Sequence, residues 1–150
     1  MTAPREGWRT FALLILLIGT AGTATELMLL EHVEEVQQWV PLAFLVAGFL
    51  AGVWVAVAPN RPAVLTLRAL AFLYLPVAVA GIYFHLQSNV EFELELRPSI
   101  AGMDLVMESL KGAMPALAPG AMAQLGLLGL LVCFRHPALS GNPTGGDAAS

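Results

Sequence analysis

The chain has 150 residues, of which 57% are hydrophobic and only 12% are charged, and its formal net charge is −4. Ordinary soluble domains carry about 25% charged residues, so this composition, with a mean hydropathy of +0.74, excludes a typical soluble protein and indicates an integral membrane protein. The negative charge argues against a nucleic-acid partner, because nucleic-acid-binding proteins present basic patches to the phosphates.

Long apolar segments predict four membrane-spanning helices in a single integral membrane domain over residues 1–139. A helix needs about 20 mainly apolar residues to cross the hydrocarbon core of a bilayer. The segments that meet or approach this length occupy residues 11–30, 41–58, 63–85 and 114–134. Residues 140–150 have no periodic apolar face, which predicts a disordered cytoplasmic tail.

The first apolar segment also has features of a secretory signal peptide. Arg5 and Arg9 precede the apolar run, and the small residues before Thr25 could form a cleavage site after Ala24. The apolar run nevertheless resumes at residues 27–30, which a spanning helix requires and a signal peptide does not. We therefore expect this segment to be retained as the first span.

Two outward connections, residues 31–40 and 86–113, contain most of the acidic residues, and the second contains two periodicities. Apolar and charged residues alternate between residues 90 and 97, which predicts a short β-like strand or hairpin. Residues 99–112 have apolar side chains at helical spacing, which predicts an amphipathic helix at the membrane interface. The predicted fold is thus an all-α four-helix membrane bundle with an outward strand and an interfacial helix between spans three and four.

The positions of the basic residues predict the orientation of the bundle. Arginines lie at the termini, in the second connection and beside it, at Arg5, Arg9, Arg61, Arg68 and Arg135. Because Lys and Arg near span ends favour the cytoplasmic side, we expect both termini to be cytoplasmic in the cell (inner) membrane, with the acidic connections facing outward.

Two histidines form a candidate site, although histidines without a spacing motif are more often surface or interfacial side chains than ligands, so the absence of a cofactor is the favoured interpretation. The predicted topology brings His32 and His85 to the outer membrane boundary, and imidazoles from two facing helices can ligate haem or a metal ion. Glu31 and Glu35 flank His32 and would add oxygen ligands to a divalent-cation site. Glu26 completes this candidate metal set from within the first span.

Glu26 has two interpretations because an ionisable group within a span costs a few kcal/mol unless it is protonated, paired or hydrated. It could relay a proton or cation. Alternatively, it is protonated and hydrogen-bonds Gln124 or a threonine inside the bundle. Gln124 is expected to face the helix contact made by the small residues Gly126 and Gly129 of the last span.

The alternating segment places Glu91, Glu93 and Glu95 on one face of the predicted strand. These carboxylates could attract a divalent cation, contact a partner, or form a solvated face. A lone strand leaves backbone groups unpaired, so it should pair with residues 33–40 or with the same segment of another copy. This pattern indicates a homo-oligomer or a membrane-protein partner.

No catalytic motif is present, so an enzyme is the less favoured interpretation. The leading hypothesis is a non-enzymatic accessory or scaffold subunit, embedded in the lipid bilayer, whose acidic outward face contacts a partner or another copy. The alternative is a haem- or divalent-cation-binding or transport protein that uses Glu26, His32 and His85 at the outer boundary.

Overall fold

The computed structural model describes residues 4–30 and 36–140, with side chains from residue 7 onward. Of these residues 83% are helical and none lies in a β-strand. The α-helices in this part of the chain are α1 (Pro4–Leu29), α2 (Val36–Val57), α3 (Arg61–Leu96), α4 (Gly102–Leu110) and α5 (Gly120–Cys133), and a 3-10 turn follows at Pro137–Leu139. Residues 141–150 of the predicted tail lie outside the described residues.

Three of the described helices, α1, α2 and α3, are long and apolar enough to cross a membrane. Their positions agree with the first three predicted spans. The fourth predicted span is shorter than expected, because α5 begins at Gly120 and has 14 residues. A helix through residues 114–119 would place Pro119 in its interior, where the ring clashes with the preceding turn and an N–H is missing.

The predicted strand at residues 90–97 is wrong, because α3 continues without a break to Leu96. Glutamate and leucine favour helices, and Glu93 pairs with Arg97 across one helical turn. At 1.5 Å per residue α3 is about 54 Å long, whereas the hydrocarbon core is about 30 Å thick. We call residues 86–96, which follow the predicted third span, the α3 extension.

The helices α1, α2, α3 and α5 pack in a closed ring, in which α1 and α3 each contact α2 and α5. The core between them includes Leu16, Leu45, Leu67, Tyr74 and Val132. The small-residue contact predicted for the last span is confirmed. A Cβ added at Gly126 would lie 2.7 Å from the carbonyl oxygen of Ala71, and one added at Gly129 would lie 2.8 Å from the Ala71 Cβ.

Hydrogen bonds join the start of α1, the start of α3 and the end of α5 at one end of the bundle. The Arg9 guanidinium donates to the carbonyl oxygens of Phe134 and Arg135 at 3.1 and 2.8 Å, and the Cys133 thiol donates to the Val64 carbonyl at 3.5 Å. We call this the basic end. The basic residues it contains among the described side chains are Arg9, Arg61, Arg68 and Arg135.

The opposite end comprises the end of α1, the start of α2, the α3 extension and α4, and we call it the acidic end. Every carboxylate among the described side chains lies here, at Glu26, Glu91, Glu93, Glu95, Asp104 and Glu108. Only Arg97 and Lys111 offset them among these residues. Because successive long helices run in opposite directions, the basic and acidic stretches of the sequence lie at opposite ends of the bundle.

Tyr74 joins α3 to α2 in the middle of the bundle. Its buried hydroxyl donates to the Phe44 carbonyl at 2.9 Å, and its ring meets the Phe44 ring edge-on. Tyr74→Phe should lower the free energy of unfolding by about 1 kcal/mol, because it removes this hydrogen bond with little change in packing. Denaturant unfolding of the purified protein in detergent would measure the change. The control Tyr83→Phe, at an exposed ring, should be near neutral, and equal effects of the two variants would contradict the prediction.

Candidate functional site

The structure describes only part of the candidate metal set. Glu31, His32 and Glu35 lie outside the described residues. Glu26 lies exposed in the last turn of α1, and His85 lies half-buried on α3. The helices α1 and α3 occupy diagonal positions in the ring of helices. Within residues 7–30 and 36–140, no three His, Cys, Asp or Glu side chains are grouped to hold a metal ion.

His85 contacts the segment between α4 and α5. Its Nδ1 atom lies 3.2 Å from the carbonyl oxygen of Pro115. Because a carbonyl only accepts hydrogen bonds, this contact requires the proton on Nδ1 and assigns Nε2 as the ring atom that would ligate a metal or haem. His85 thus contacts the α4–α5 connection from α3, and its pairing with His32 stays a prediction.

Gln124 does not face the helix contact, and that prediction is wrong. Its side chain is exposed, whereas Gly126, two residues later, is buried against α3. Two residues correspond to about 200° of rotation around a helix, so the two positions lie on nearly opposite faces. No hydrogen bond of the described side chains joins Glu26 to Gln124.

Asn89 is the polar centre of the acidic end, and sequence reasoning missed it. It is 2% exposed, yet its amide nitrogen donates to the carbonyl oxygens of Ser109 and Met114 at 2.9 and 2.7 Å, and its amide oxygen accepts from the Met114 N–H at 3.1 Å. One side chain therefore joins α3 to the end of α4 and to the connection beyond it. In the sequence Asn89 resembles an ordinary polar residue of a loop.

A network of ion pairs holds α4 against the α3 extension. Arg97, which directly follows α3, pairs with Glu93 of that helix and lies 3.3 Å from Glu108 of α4, and Lys111 lies 3.4 Å from Glu108. Lys111 and Arg97 hold the pKa of Glu108 below its usual range. Hydrogen bonding to Glu93 raises the pKa of Arg97. These charges are therefore used within the protein to dock α4.

The three predicted partner-contact glutamates do not share one face. In a helix Glu91 and Glu95 lie one turn apart on the same side, and both are exposed. Glu93 points to the other side, where it is 8% exposed beside Arg97. Gln87 donates to Glu91 at 3.0 Å, which orients that carboxylate. Of these three glutamates, Glu91 and Glu95 are exposed on the surface and Glu93 is not.

The amphipathic helix predicted between spans three and four is present as α4, and its apolar side faces away from α3. The side chains that pack inward are Leu105, Glu108 and Ser109. The exposed side carries a continuous apolar row at helical spacing, which we call the α4 stripe: Met103, Val106, Met107 and Leu110, at 72, 48, 45 and 44% exposure. A contiguous apolar surface of this kind is typical of contact with a protein or with the membrane interface.

Comparison with known proteins does not assign the chain to a family. No protein-family model matches it, and no curated protein or solved structure shows significant similarity to it. Its function must therefore be inferred from the geometry of the acidic end and from the apolar helices.

Gly112 tests the packing around Asn89. A Cβ at this position would lie 2.5 Å from the Asn89 Cγ, and Asn89 is fixed by its three hydrogen bonds. Gly112→Ala should therefore weaken the docking of α4 by about 1–3 kcal/mol, as overpacking of a tight site does. Faster amide hydrogen exchange in Gly102–Leu110 would measure this. Gly120→Ala is the matched control, because nothing lies within 4 Å of its Cβ, and faster exchange in both variants would contradict the specific clash.

Glu108 should make the docking of α4 dependent on pH. Its pKa is lowered in the folded protein, so its stabilising contribution is present above the unfolded pKa of about 4.3 and is lost as pH falls through the lowered folded value. Glu108→Gln should lower the unfolding midpoint at pH 7, and the difference from the parent should disappear in acid. Glu95→Gln, at an exposed position, is the control. A pH-independent difference for Glu108→Gln would refute the assigned ion pairs.

Proposed function

We propose that this chain is a non-enzymatic, four-span membrane protein that serves as an accessory or scaffold subunit, and that its acidic end contacts a membrane-protein partner. The observation that carries the proposal is the α4 stripe. An amphipathic helix on the surface of a globular protein usually packs its apolar side against the core. Here α4 packs its mixed side, with Leu105, Glu108 and Ser109, against α3 and leaves Met103 and Met107 outside.

The small size of the cavity inside the bundle favours a function that involves binding at the surface. The cavity at its centre, between Leu16, Tyr74, Leu125 and Gly129, has a volume of about 10 Å³. That volume admits at most one water molecule, and no carboxylate or imidazole of the described residues lines it. A ligand larger than water would therefore not fit in this cavity.

The charge separation supports the proposed orientation. The basic end contains the beginnings of α1 and α3 and the end of α5, so the positive-inside rule favours a cytoplasmic position for it. The acidic end would then project outward, beyond the hydrocarbon core, on the α3 extension. The proposed location is the cell (inner) membrane, with α5 as the fourth and shortest span.

Electrostatics favours a different protein over a second copy as the partner. Carboxylates outnumber cations at the acidic end, so two copies that met there would bring like charges together at a cost in free energy. A partner with an apolar surface and a basic rim would cover the α4 stripe and face Glu91 and Glu95. Methionine side chains suit such a contact because they adapt to irregular surfaces.

Site-specific photocrosslinking in native membranes would test the partner contact. A photoreactive residue at Val106, in the α4 stripe, should yield a discrete protein adduct, whereas one at Leu127, exposed on α5, should not. The double variant Met103→Ser plus Met107→Ser should weaken recovery of the same complex about tenfold, equivalent to about 1.4 kcal/mol of lost apolar contact.

Two outcomes would overturn the proposed contact. Adducts only with lipid at Val106 would show that α4 lies in the membrane interface. A protein adduct with a second copy of the chain would replace the proposed partner by a homo-oligomer, contrary to the electrostatic argument.

A further inference from the structure

A groove runs along the outer side of α3 near the basic end. It is a shallow, open depression between side chains of this one helix and is lined by Leu65, Arg68, Ala69, Phe72 and Leu73. These residues recur at the spacing of one helix face. Leu65, Phe72 and Leu73 are 43, 63 and 46% exposed, so the apolar lining is open to the surroundings of the protein.

The groove lies on the side of α3 that faces away from the other helices. The buried side of the same helix segment consists of Val64, Leu67, Ala71 and Tyr74. Val64 and Ala71 contact α5, and Tyr74 contacts α2. A chain whose long helices cross a membrane would therefore expose the groove to lipid. This inference shares with the proposed function only the insertion of α3 in a bilayer and does not depend on the partner at the acidic end.

Arg68 is the one polar residue in the lining of the groove. No hydrogen bond or ion pair among the described residues engages its guanidinium. It lies about 10 Å along the helix axis from Arg61, within the apolar part of α3, where an unpaired charge is costly unless its long side chain reaches the headgroups. Side chains on a helix lean toward its N-terminus, which for Arg68 is the direction of the basic end and of the nearest headgroup layer.

Arg61 lies on the same side of α3, two helical turns closer to the end of the bundle, and its side chain is exposed. Arg61 and Arg68 thus place two cationic side chains on the same side of α3 as the apolar lining residues. Guanidinium binds phosphate through paired, charge-assisted hydrogen bonds. This combination of two cationic side chains and an apolar surface is complementary to an amphiphile with an anionic headgroup.

We infer that the outer side of α3 is a binding site for an anionic glycerophospholipid, with the phosphate at Arg68 and Arg61 and an acyl chain along Leu65, Ala69 and Phe72. Two cationic groups favour a lipid with a net negative headgroup over a zwitterionic one, whose own cation neutralises the phosphate. The acyl chain supplies contact along the groove that a free phosphate lacks.

Native mass spectrometry of the full chain from mild detergent would measure the binding, with phosphatidylglycerol and phosphatidylcholine as the two added lipids. The parent should retain phosphatidylglycerol in preference to phosphatidylcholine. Arg68→Gln should weaken retention of phosphatidylglycerol about tenfold. Ala69→Trp should also weaken it, because the indole fills the groove and leaves the charge unchanged. Arg135→Gln, which removes one charge from the same end outside the groove, is the matched control and should leave retention unchanged.

Three outcomes would overturn the site. Equal losses in Arg68→Gln and Arg135→Gln would indicate general attraction to the basic end. Unchanged retention in Ala69→Trp would show that no acyl chain occupies the groove, and competition by soluble glycerol phosphate at the concentration of the lipid would show a phosphate site instead. The variant Met103→Ser plus Met107→Ser should retain phosphatidylglycerol like the parent, so failure of the partner contact and failure of the lipid site are distinguishable.

Discussion

The close contact between α3 and α5 determines how the rest of the protein is arranged. Lipid is as apolar as the helices, so helices in a bilayer associate through tight packing, and small residues permit it. Gly126 and Gly129 let α5 approach Ala71 until backbone and side-chain atoms meet. This contact fixes the rotation of α3 about its axis. It therefore decides that Tyr74 points toward α2, that Arg68 points outward, and which side of the α3 extension receives α4.

The acidic end is held mainly by polar interactions, in contrast to the apolar ring of helices. Asn89 is buried without penalty because its amide makes three hydrogen bonds to backbone atoms. Glu93, Arg97 and Glu108 form ion pairs that attach α4 to the α3 extension. Polar groups therefore face inward at this end and the apolar α4 stripe faces outward, which reverses the usual arrangement of a soluble helical hairpin and supports the proposed contact with a partner.

Hydropathy was sufficient to predict the three long helices, and glycine spacing was sufficient to predict the contact of the last helix. Both signals are local. The end of α3 was not predictable in this way, because an eight-residue alternation fits a strand and is also compatible with a helix once Glu93 has Arg97 and α4 as partners. The role of Asn89 depends on Met114, which is distant in sequence, and no local pattern identifies it. Of the candidate metal set, only Glu26 and His85 lie in the described chain, on diagonal helices.

The length of α3 has a mechanical consequence for the two proposed surfaces. A single helix connects the lipid groove at the basic end to the docked α4 at the acidic end. Pro76 lies inside it and has no N–H to donate to the carbonyl of Phe72, a residue of the groove, so resistance to bending is reduced between the two surfaces. Bending of α3 at Pro76 would therefore tilt the α3 extension and α4 relative to the segment around Ala71 that packs on α5.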